Sequence, residues 1–194
     1  MKVSQKEPFL YLLVRPVIRF LFSILFTPRM VGRENIPKQG GVILAGNHTN
    51  YFDCLMLMSS TKRCIHFMAK QELCHGFKKV IFCNMGLIPV NRKQKDPESL
   101  KCACACLRES KVVGIFPEGT TEKETGVMLP FRIGAVKMAH DTGVPIVPFG
   151  ISGKYRLFSR DLTIVFGEPF MVESDQLDGE NEKLKDLVSN MKRG

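Results

Sequence analysis

The stretch NHTNYFD, residues 47–53, holds a histidine and an aspartate separated by four residues. The apolar run GVILAG before it predicts a buried strand, and a helix is predicted to begin just after it. Asn50 would cap this helix and Asp53 would be its third residue, where a carboxylate favours the helix dipole. That account explains Asn50 and Asp53 but leaves His48 unexplained.

His48 follows a predicted strand at a strand-to-helix turn, which is where open α/β sheets bind ligands. One turn of helix could bring Asp53 back to hold one imidazole nitrogen and leave the other free to take a proton. This is the histidine–aspartate half of a catalytic triad, with a substrate hydroxyl as the nucleophile. From the spacing alone, the helix cap and the catalytic pair both remain open.

Further polar side chains end other predicted strands. Glu118 follows the apolar run in VVGIFPEGTT, and Arg92 ends GLIPVNR. The stretch VPIVPFGI, residues 144–151, is apolar with two prolines, which suits an edge strand or a pocket wall. His48, Arg92 and Glu118 could therefore converge on one crevice, where an arginine can bind phosphate through two parallel hydrogen bonds.

The elements that would position these residues alternate along the chain. Apolar runs predict strands at 41–46, 64–69, 87–90, 112–116, 145–151 and 162–167. Helices are predicted near 52–60, 71–84, 97–110 and 131–142, and a charged helix from about 175. This alternation predicts an α/β domain with a mostly parallel sheet flanked by helices.

The N-terminal segment predicts an amphipathic helix over residues 9–26. Tyr11, Arg15, Arg19 and Ser23 recur every four residues and form one polar stripe on an otherwise apolar helix. Two central arginines argue against a membrane span, because each costs about 2.5–3.5 kcal/mol at the bilayer centre. We predict that residues 1–33 lie in the membrane interface with the arginines reaching lipid phosphates, and that residues 34–194 form the functional domain. The alternative is a helix packed on the protein's own core.

The charge distribution favours a membrane partner over nucleic acid. The formal net charge is +9, and residues 1–33 contain six basic side chains and one acidic one around the most apolar stretch. We recognise no nucleic-acid-binding module in the rest of the chain. An anionic membrane surface is therefore the expected partner, and we expect no nucleic acid.

Seven cysteines are present, three of them in the run CACAC at Cys102, Cys104 and Cys106. Asp96 and Pro97 form a good helix start just before this run. Residues two apart on a helix point about 200° apart, so these thiols would not share a metal ion. We therefore expect no metal site, and free thiols indicate a reducing environment on the cytoplasmic side of the membrane.

Taken in order, four of these stretches resemble the blocks of the glycerolipid acyltransferase family, most closely its lysophosphatidate acyltransferases. NHTNYFD matches the His-x-x-x-x-Asp block, and GLIPVNR is similar to the second, which ends in arginine. FPEGT matches the third block and VPIVPFGI resembles the fourth. The blocks run from about residue 42 to 151 in the family's order and spacing. The amphipathic N-terminal segment also fits this family, whose members are membrane-associated.

The resemblance implies a transfer of an acyl chain from acyl-CoA or acyl-carrier protein to the free hydroxyl of 1-acylglycerol-3-phosphate. The product would be phosphatidate, in phospholipid biosynthesis. His48 would be the general base, Asp53 would fix its tautomer, and no cofactor beyond the thioester co-substrate would be needed. The implied acceptor-binding residues are Arg92, Glu118, Gly119 and Thr120. Another lysolipid or alcohol acceptor is the alternative.

One position departs from the family pattern. Lysophosphatidate-type members usually have arginine after FPEGT, and here Thr121 stands in its place. The departure leaves open which cation completes the phosphate site. Lys70, Arg132 and Lys137 are the nearby candidates for binding the substrate, although each could also be a solvated charge.

Two other interpretations are disfavoured. Cys54 lies near His48 and could be a covalent nucleophile, but it falls within the apolar run of a predicted helix. A non-catalytic, basic lipid-binding module would explain the charge and the N-terminal helix. It would leave four ordered blocks unexplained.

Overall fold

The computed structural model describes residues 8–74, 84–91, 96–121 and 128–193. Within them, one sheet has the strand order β1-β7-β6-β2-β5-β3-β4. Its strands are β1 Arg29–Val31, β2 Val42–Gly46, β3 Ile65–Lys70, β4 Ile88–Val90, β5 Val112–Ile115, β6 Ile146–Ser152 and β7 Thr163–Phe166. Neighbouring strands are parallel except for β6 and β7. The predicted α/β class with a mostly parallel sheet is confirmed, and β1 is the strand that the sequence did not predict.

The helices lie on both faces of this sheet. They are α1 Phe9–Leu25, α2 Asp53–Ser60, α3 Pro97–Arg108, α4 Gly134–Thr142 and α5 Leu177–Arg193. Short 3-10 helices occupy Arg33–Asn35 and Gln71–Cys74, and much of the helix predicted near 71–84 lies outside the described residues. The start of α3 is as predicted, because the Asp96 side chain accepts from the Ser99 amide at 3.0 Å and Pro97 is the first helical residue.

The core forms two apolar layers, one on each face of the sheet. One layer includes side chains of α1 and α2, and the other includes side chains of α3, α4 and α5. Every residue of β2 is buried between them. This position explains why β2 is a continuous apolar run, since a strand covered on both faces has no solvated side.

The stretch VPIVPFGI is not at an edge, so the edge-strand interpretation is wrong. It forms β6, which lies between β2 and β7. Pro148 fits there because its missing N–H would point towards β7, where the Pro148 carbonyl accepts from the Gly167 amide at 2.8 Å. The ladder with β7 begins one residue later, at the pair Phe149 and Phe166. Pro148 therefore accepts from Gly167 at the end of this ladder but cannot return the donation.

Two residues of the polar stripe of α1, Tyr11 and Arg15, contact the rest of the protein, whereas Ser23 is exposed. Tyr11 is only 1% exposed, and its hydroxyl accepts from the Ile65 amide at 3.1 Å. Arg15 Nε donates to the carbonyl of Thr61, the C-terminal cap of α2, at 2.8 Å. Arg15 thus has a partner within the protein, and contact of the arginines of this stripe with lipid phosphates stays a prediction. A carbonyl at a helix end lacks an intrahelical donor, and a cation there also complements the dipole.

The opposite side of α1 carries large apolar side chains in contact with solvent. We call this surface the outer face of α1, and its residues are Phe9, Leu12, Leu13, Val17, Phe20, Leu21 and Ile24. Phe9 and Phe20 are 78% and 65% exposed. Among the described residues, no helix has the length and hydropathy to cross a membrane. The boundary at residue 33 stays a prediction, and β1 on its N-terminal side pairs with β7.

Candidate active site

The carboxyl ends of β2, β5, β3 and β4 meet at one edge of the sheet, since these four strands are parallel neighbours. His48 lies two residues beyond the end of β2, and Glu118 three residues beyond the end of β5. Lys70 ends β3 and pairs in register with Val90 of β4. Arg92, which follows β4, lies outside the described residues, so its place in the site stays a prediction.

A buried asparagine fixes the turn that carries His48. Asn47 is fully buried, and its side chain bonds to both main-chain groups of Ile151 in β6, at 2.9 Å to the carbonyl and 2.7 Å to the amide. Just before it, a Cβ at Gly46 would run into the carbonyl and ring of Phe149. The close approach of the two strands and the amide of Asn47 together set where the chain leaves the sheet.

His48 and Asp53 are in contact. Nδ1 of His48 lies 2.8 Å from Oδ2 of Asp53, and Asp53 is fully buried. The same oxygen accepts from the amides of Thr49 at 2.7 Å and Asn50 at 2.9 Å. A carboxylate can only accept, so Nδ1 carries the proton and Nε2 is the nitrogen left for a substrate.

The helix start differs from the prediction, and the difference explains this contact. Helix α2 begins at Asp53 itself, so the prediction of an Asn50 cap with Asp53 as the third helical residue is wrong. The Asn50 side chain accepts from the Phe52 amide at 3.1 Å and so stabilises a turn ahead of the helix. The Asp53 carboxylate is thereby directed back over this turn towards His48.

Tyr155 completes the surroundings of Asp53, and no pattern in the sequence predicted its role. Its hydroxyl donates to Oδ1 of Asp53 at 2.5 Å, beside the Thr49 hydroxyl at 3.1 Å. Burial and the negative charge of Asp53 raise the pKa of Tyr155 above its usual value. The phenol therefore remains a hydrogen-bond donor to the carboxylate. Tyr155 lies 102 positions from Asp53, in the loop between β6 and β7.

An aromatic ring supports the imidazole. His48 stacks on Phe116, with ring centroids 4.1 Å apart and an interplanar angle of 17°. The His48 side chain is 11% exposed, so it opens to solvent over a small area. Phe116 lies directly after β5, where the sequence predicted only the end of a strand. The stacking fixes the ring plane, while Asp53 fixes the rotation of the ring.

Glu118 contacts the main chain of the same histidine. Its Oε1 accepts from the His48 amide at 2.8 Å and its Oε2 accepts from the Leu129 amide at 3.0 Å. Only 5% of the residue is exposed. Glu118 thus joins the turn after β2 to the segment before α4. Its predicted part in substrate binding stays a prediction.

The turn after Glu118 brings one basic side chain to the site. Gly119 has a φ of +72°, and an added Cβ would lie 2.8 Å from Nε of Arg132. The Arg132 amide donates to the Pro117 carbonyl at 2.9 Å, which holds Arg132 beside this turn. Thr120, which is exposed, and Thr121, which is half-buried, follow. Arg132 therefore lies against Gly119, which is two residues before Thr121 in the chain.

The other candidates lie in different surroundings. Lys70 is exposed at the end of β3. Lys137 is exposed on α4, where its ammonium pairs with Asp141 one turn later at 3.1 Å. Cys54 lies in α2 and packs against the apolar core, as expected for a structural thiol. Among the described residues, no group of histidine, cysteine and carboxylate side chains is arranged to hold a metal ion.

The fold and the histidine–aspartate pair at the carboxyl edge of the sheet are the features that the sequence predicted for an α/β enzyme. The family model for acyltransferases matches residues 27–152. The 1-acyl-sn-glycerol-3-phosphate acyltransferase of Bacillus subtilis is 30% identical over 162 residues, which are 78% of each chain. The enzyme of that name from Borreliella burgdorferi is 33% identical over 69% of this chain and 54% of its own.

A solved structure agrees in fold. The crystal structure of the 1-acyl-sn-glycerophosphate acyltransferase PlsC from Thermotoga maritima has a TM-score of 0.75 at 21% identity, over 93% of this chain and 77% of its own. The chain therefore belongs to the acyltransferase family. The resemblance found in the sequence and the prediction of an O-acyltransferase are both confirmed.

Proposed function

We propose that this acyltransferase transfers an acyl chain from acyl-CoA or acyl-carrier protein to the free hydroxyl of 1-acylglycerol-3-phosphate, forming phosphatidate for phospholipid biosynthesis. The observation that carries the proposal is the 2.8 Å contact between His48 Nδ1 and Asp53 Oδ2 at the carboxyl edge of the sheet. The printed names of the relatives support the acceptor. The thioester is a co-substrate, and the proposal requires no cofactor or metal.

The chemistry follows from the free nitrogen of His48. Nε2 takes the proton of the acceptor hydroxyl while that oxygen attacks the thioester carbonyl carbon. The tetrahedral oxyanion then collapses, the carbon–sulfur bond breaks, and the imidazolium returns the proton to the leaving thiolate. Asp53 holds Nδ1–H throughout and stabilises the imidazolium, and general-base help of this kind contributes about 10²–10⁴-fold.

Thiol release tests this proposal. The full chain, in mixed micelles, is given acyl-CoA or acyl-carrier protein with lysophosphatidate, and free thiol and phosphatidate are measured. We expect both products in equal amounts with at least one donor, and little thiol without acceptor. Binding of lysophosphatidate with no thiol release from either donor would instead support a non-catalytic lipid-binding module.

We further propose that Arg132 and Arg92 bind the phosphate of the acceptor. Arg132 supports this by its place against Gly119, two residues before Thr121, and Arg92 by the resemblance of GLIPVNR to the second block. Glu118, Gly119 and Thr120 would shape the turn beneath the phosphate. A charged hydrogen bond contributes about 1.5–3 kcal/mol, so its loss should raise the acceptor KM roughly 10- to 150-fold.

Alanine substitutions at Arg132 and Arg92 test the phosphate assignment. The KM for lysophosphatidate should rise while the KM for the donor changes much less, and Arg→Lys should recover only part because an ammonium lacks the planar fork. Lys101→Ala, a loss of charge in an exposed ion pair on α3, is the matched control. If both arginine variants lowered kcat/KM equally for lysophosphatidate and an uncharged monoacylglycerol, neither arginine would be recognising phosphate.

We propose that the protein is associated with the cytoplasmic side of a membrane as a monotopic enzyme, with the outer face of α1 in the lipid. The exposed apolar side chains of this face and the basic N-terminal segment support it.

Vesicle binding tests the membrane proposal. Phe20→Ser should weaken binding to anionic vesicles more than Met171→Ser, which changes an exposed apolar residue elsewhere. Rising salt should weaken binding in part. Protection of the N-terminus from protease inside sealed vesicles would indicate a span.

A further inference from the structure

Tyr155 contacts both the histidine–aspartate pair and the N-terminal helix. Its hydroxyl donates to Oδ1 of Asp53 at 2.5 Å. Its ring lies edge-on to Phe22 and Phe26 of α1, with centroids 6.2 Å and 5.6 Å away, and 5.8 Å from the ring of Phe52. One side chain therefore joins the carboxylate of the proposed active site to the helix of the proposed membrane surface.

We propose that Tyr155 is a positioning residue, which holds the Asp53 carboxylate in the orientation that faces His48, and that the packing of α1 against its ring determines how firmly it does so. This inference rests on the proposed function, because it assigns Tyr155 a part in acyl transfer by His48 and Asp53. It assigns no contact with substrate to Tyr155.

The two oxygens of Asp53 are held differently. Oδ2 meets His48 and the amides of Thr49 and Asn50, all within the same short turn. Oδ1 accepts from the Thr49 hydroxyl, which belongs to that turn, and from Tyr155, which does not. Tyr155 is thus the hydrogen-bond donor that fixes the carboxylate relative to the rest of the fold. A buried carboxylate also needs such donors to offset its lost hydration.

The loop that carries Tyr155 is fastened to α1 at two points. The first is the aromatic contact, in which Phe22 and Phe26 are themselves buried. The second is a hydrogen bond from the Phe158 amide to the carbonyl of Leu25, the last residue of α1, at 2.6 Å. A shift of α1 would therefore move the Tyr155 ring, and with it the hydroxyl on Asp53.

Tyr155→Phe tests the hydroxyl, because it keeps the ring and removes one oxygen. In the full chain in mixed micelles, we expect kcat to fall by about 10-fold or more, the effect of one hydrogen bond to a charged group, with the KM of both substrates unchanged. Tyr11→Phe is the matched control, since it removes another buried hydroxyl that contacts a main-chain amide. It should lower the melting temperature and leave kcat unchanged.

Two double-mutant cycles separate positioning from general stability. If Tyr155 acts through Asp53, Tyr155→Phe should cost much less in an Asp53→Asn background than in wild type. If α1 acts through Tyr155, Phe22→Leu should lower kcat in wild type and add little in the Tyr155→Phe background.

An unchanged kcat in Tyr155→Phe, or full additivity with Asp53→Asn, would overturn the positioning role. Equal losses from Phe22→Leu in both backgrounds would overturn the coupling to α1. These results require a wild-type enzyme that acylates lysophosphatidate. A wild type without that activity would refute the proposed function, whereas an active wild type with an unaffected Tyr155→Phe would refute this inference alone.

Discussion

Asp53 and Glu118 are two buried carboxylates at the same edge of the sheet, and both hold the same histidine. Asp53 contacts the imidazole through Oδ2, whereas Glu118 accepts from the His48 main-chain amide through Oε1. The second oxygen of Asp53 meets a tyrosine hydroxyl, and that of Glu118 meets the amide of Leu129. What a buried carboxylate does therefore depends on the atoms that its oxygens face, and burial and charge alone do not decide it.

The two carboxylates are therefore expected to have different roles. Asp53 acts on the ring, where proton transfer would occur, and so it should matter mainly for turnover. Glu118 acts on the backbone, where it joins two segments that follow different strands, and so it should matter mainly for the stability of the site. Both keep a desolvated charge that is stabilised by hydrogen-bond donors.

The largest expected effect is the loss of turnover on changing the ring contact. Asp53→Asn should lower kcat by about 10²–10⁴-fold, because an amide stabilises the wrong imidazole tautomer. His48→Ala should do the same while the melting temperature stays near that of wild type. Steady-state kinetics and thermal unfolding check both. If Asp53→Asn kept most of its activity, Asp53 would be a structural residue like Glu118.

A smaller effect is expected from Glu118→Gln. The amide can accept from one of the two main-chain N–H groups, so the other is left unsatisfied at a cost of about 1–3 kcal/mol. For a chain of this size, that corresponds to a fall in melting temperature of about 2–12 °C. The loss of kcat should be much smaller than in Asp53→Asn. Glu98→Gln, in an exposed ion pair on α3, is the control and should change neither property.

The result for Glu118 also decides between two roles. A large loss of activity in Glu118→Gln with an unchanged melting temperature would contradict a role of Glu118 in the stability of the site. It would support the substrate-binding role that the family resemblance implies. A raised KM for the acceptor alone would point the same way.

Except for β1, the strands of the described residues were predicted, and the contact of His48 with Asp53 was one of two predicted alternatives, because both depend on short-range patterns. A buried parallel strand is a continuous apolar run, and two residues five positions apart can meet across one turn. The predicted start of α2 was wrong. Asn50 is a good cap residue in isolation, but in the structure the carboxylate of Asp53 accepts hydrogen bonds from the amides of Thr49 and Asn50 ahead of α2.

Long-range contacts could not be predicted in this way. Tyr155 reaches Asp53 because the loop between β6 and β7 contacts the start of α2 at Phe52 and Asp53, and no spacing in the sequence encodes that contact. Asn47 likewise forms hydrogen bonds to Ile151, which lies 104 positions later. The periodicity of α1 showed two faces, but not that Tyr11 and Arg15 of the polar face bond to the protein, because their partners belong to Ile65 and Thr61.

The weakest predicted change is in the pH dependence of stability, to which Tyr155 contributes through its contact with Asp53. The pKa of Tyr155 is raised in the folded protein, first by burial and then by the charge of Asp53, whereas a tyrosine in the unfolded chain ionises near pH 10. Above that pH the unfolded state binds fewer protons than the folded state, so the free energy of unfolding falls as pH rises. Tyr155 alone would contribute a slope of at most about 1.4 kcal/mol per pH unit.

Urea unfolding between about pH 9 and 11 should therefore show that the free energy of unfolding falls more steeply with pH in wild type than in Tyr155→Phe. When Asp53→Asn is added to both proteins, the difference between their slopes should become smaller, because burial then raises the pKa of Tyr155 without the help of the Asp53 charge. Parallel curves for wild type and Tyr155→Phe would mean that the phenol ionises equally well in the folded protein. In that case the charge of Asp53 would not raise the pKa of Tyr155. The contact with the His48 ring would then be the remaining difference between the surroundings of Asp53 and those of Glu118.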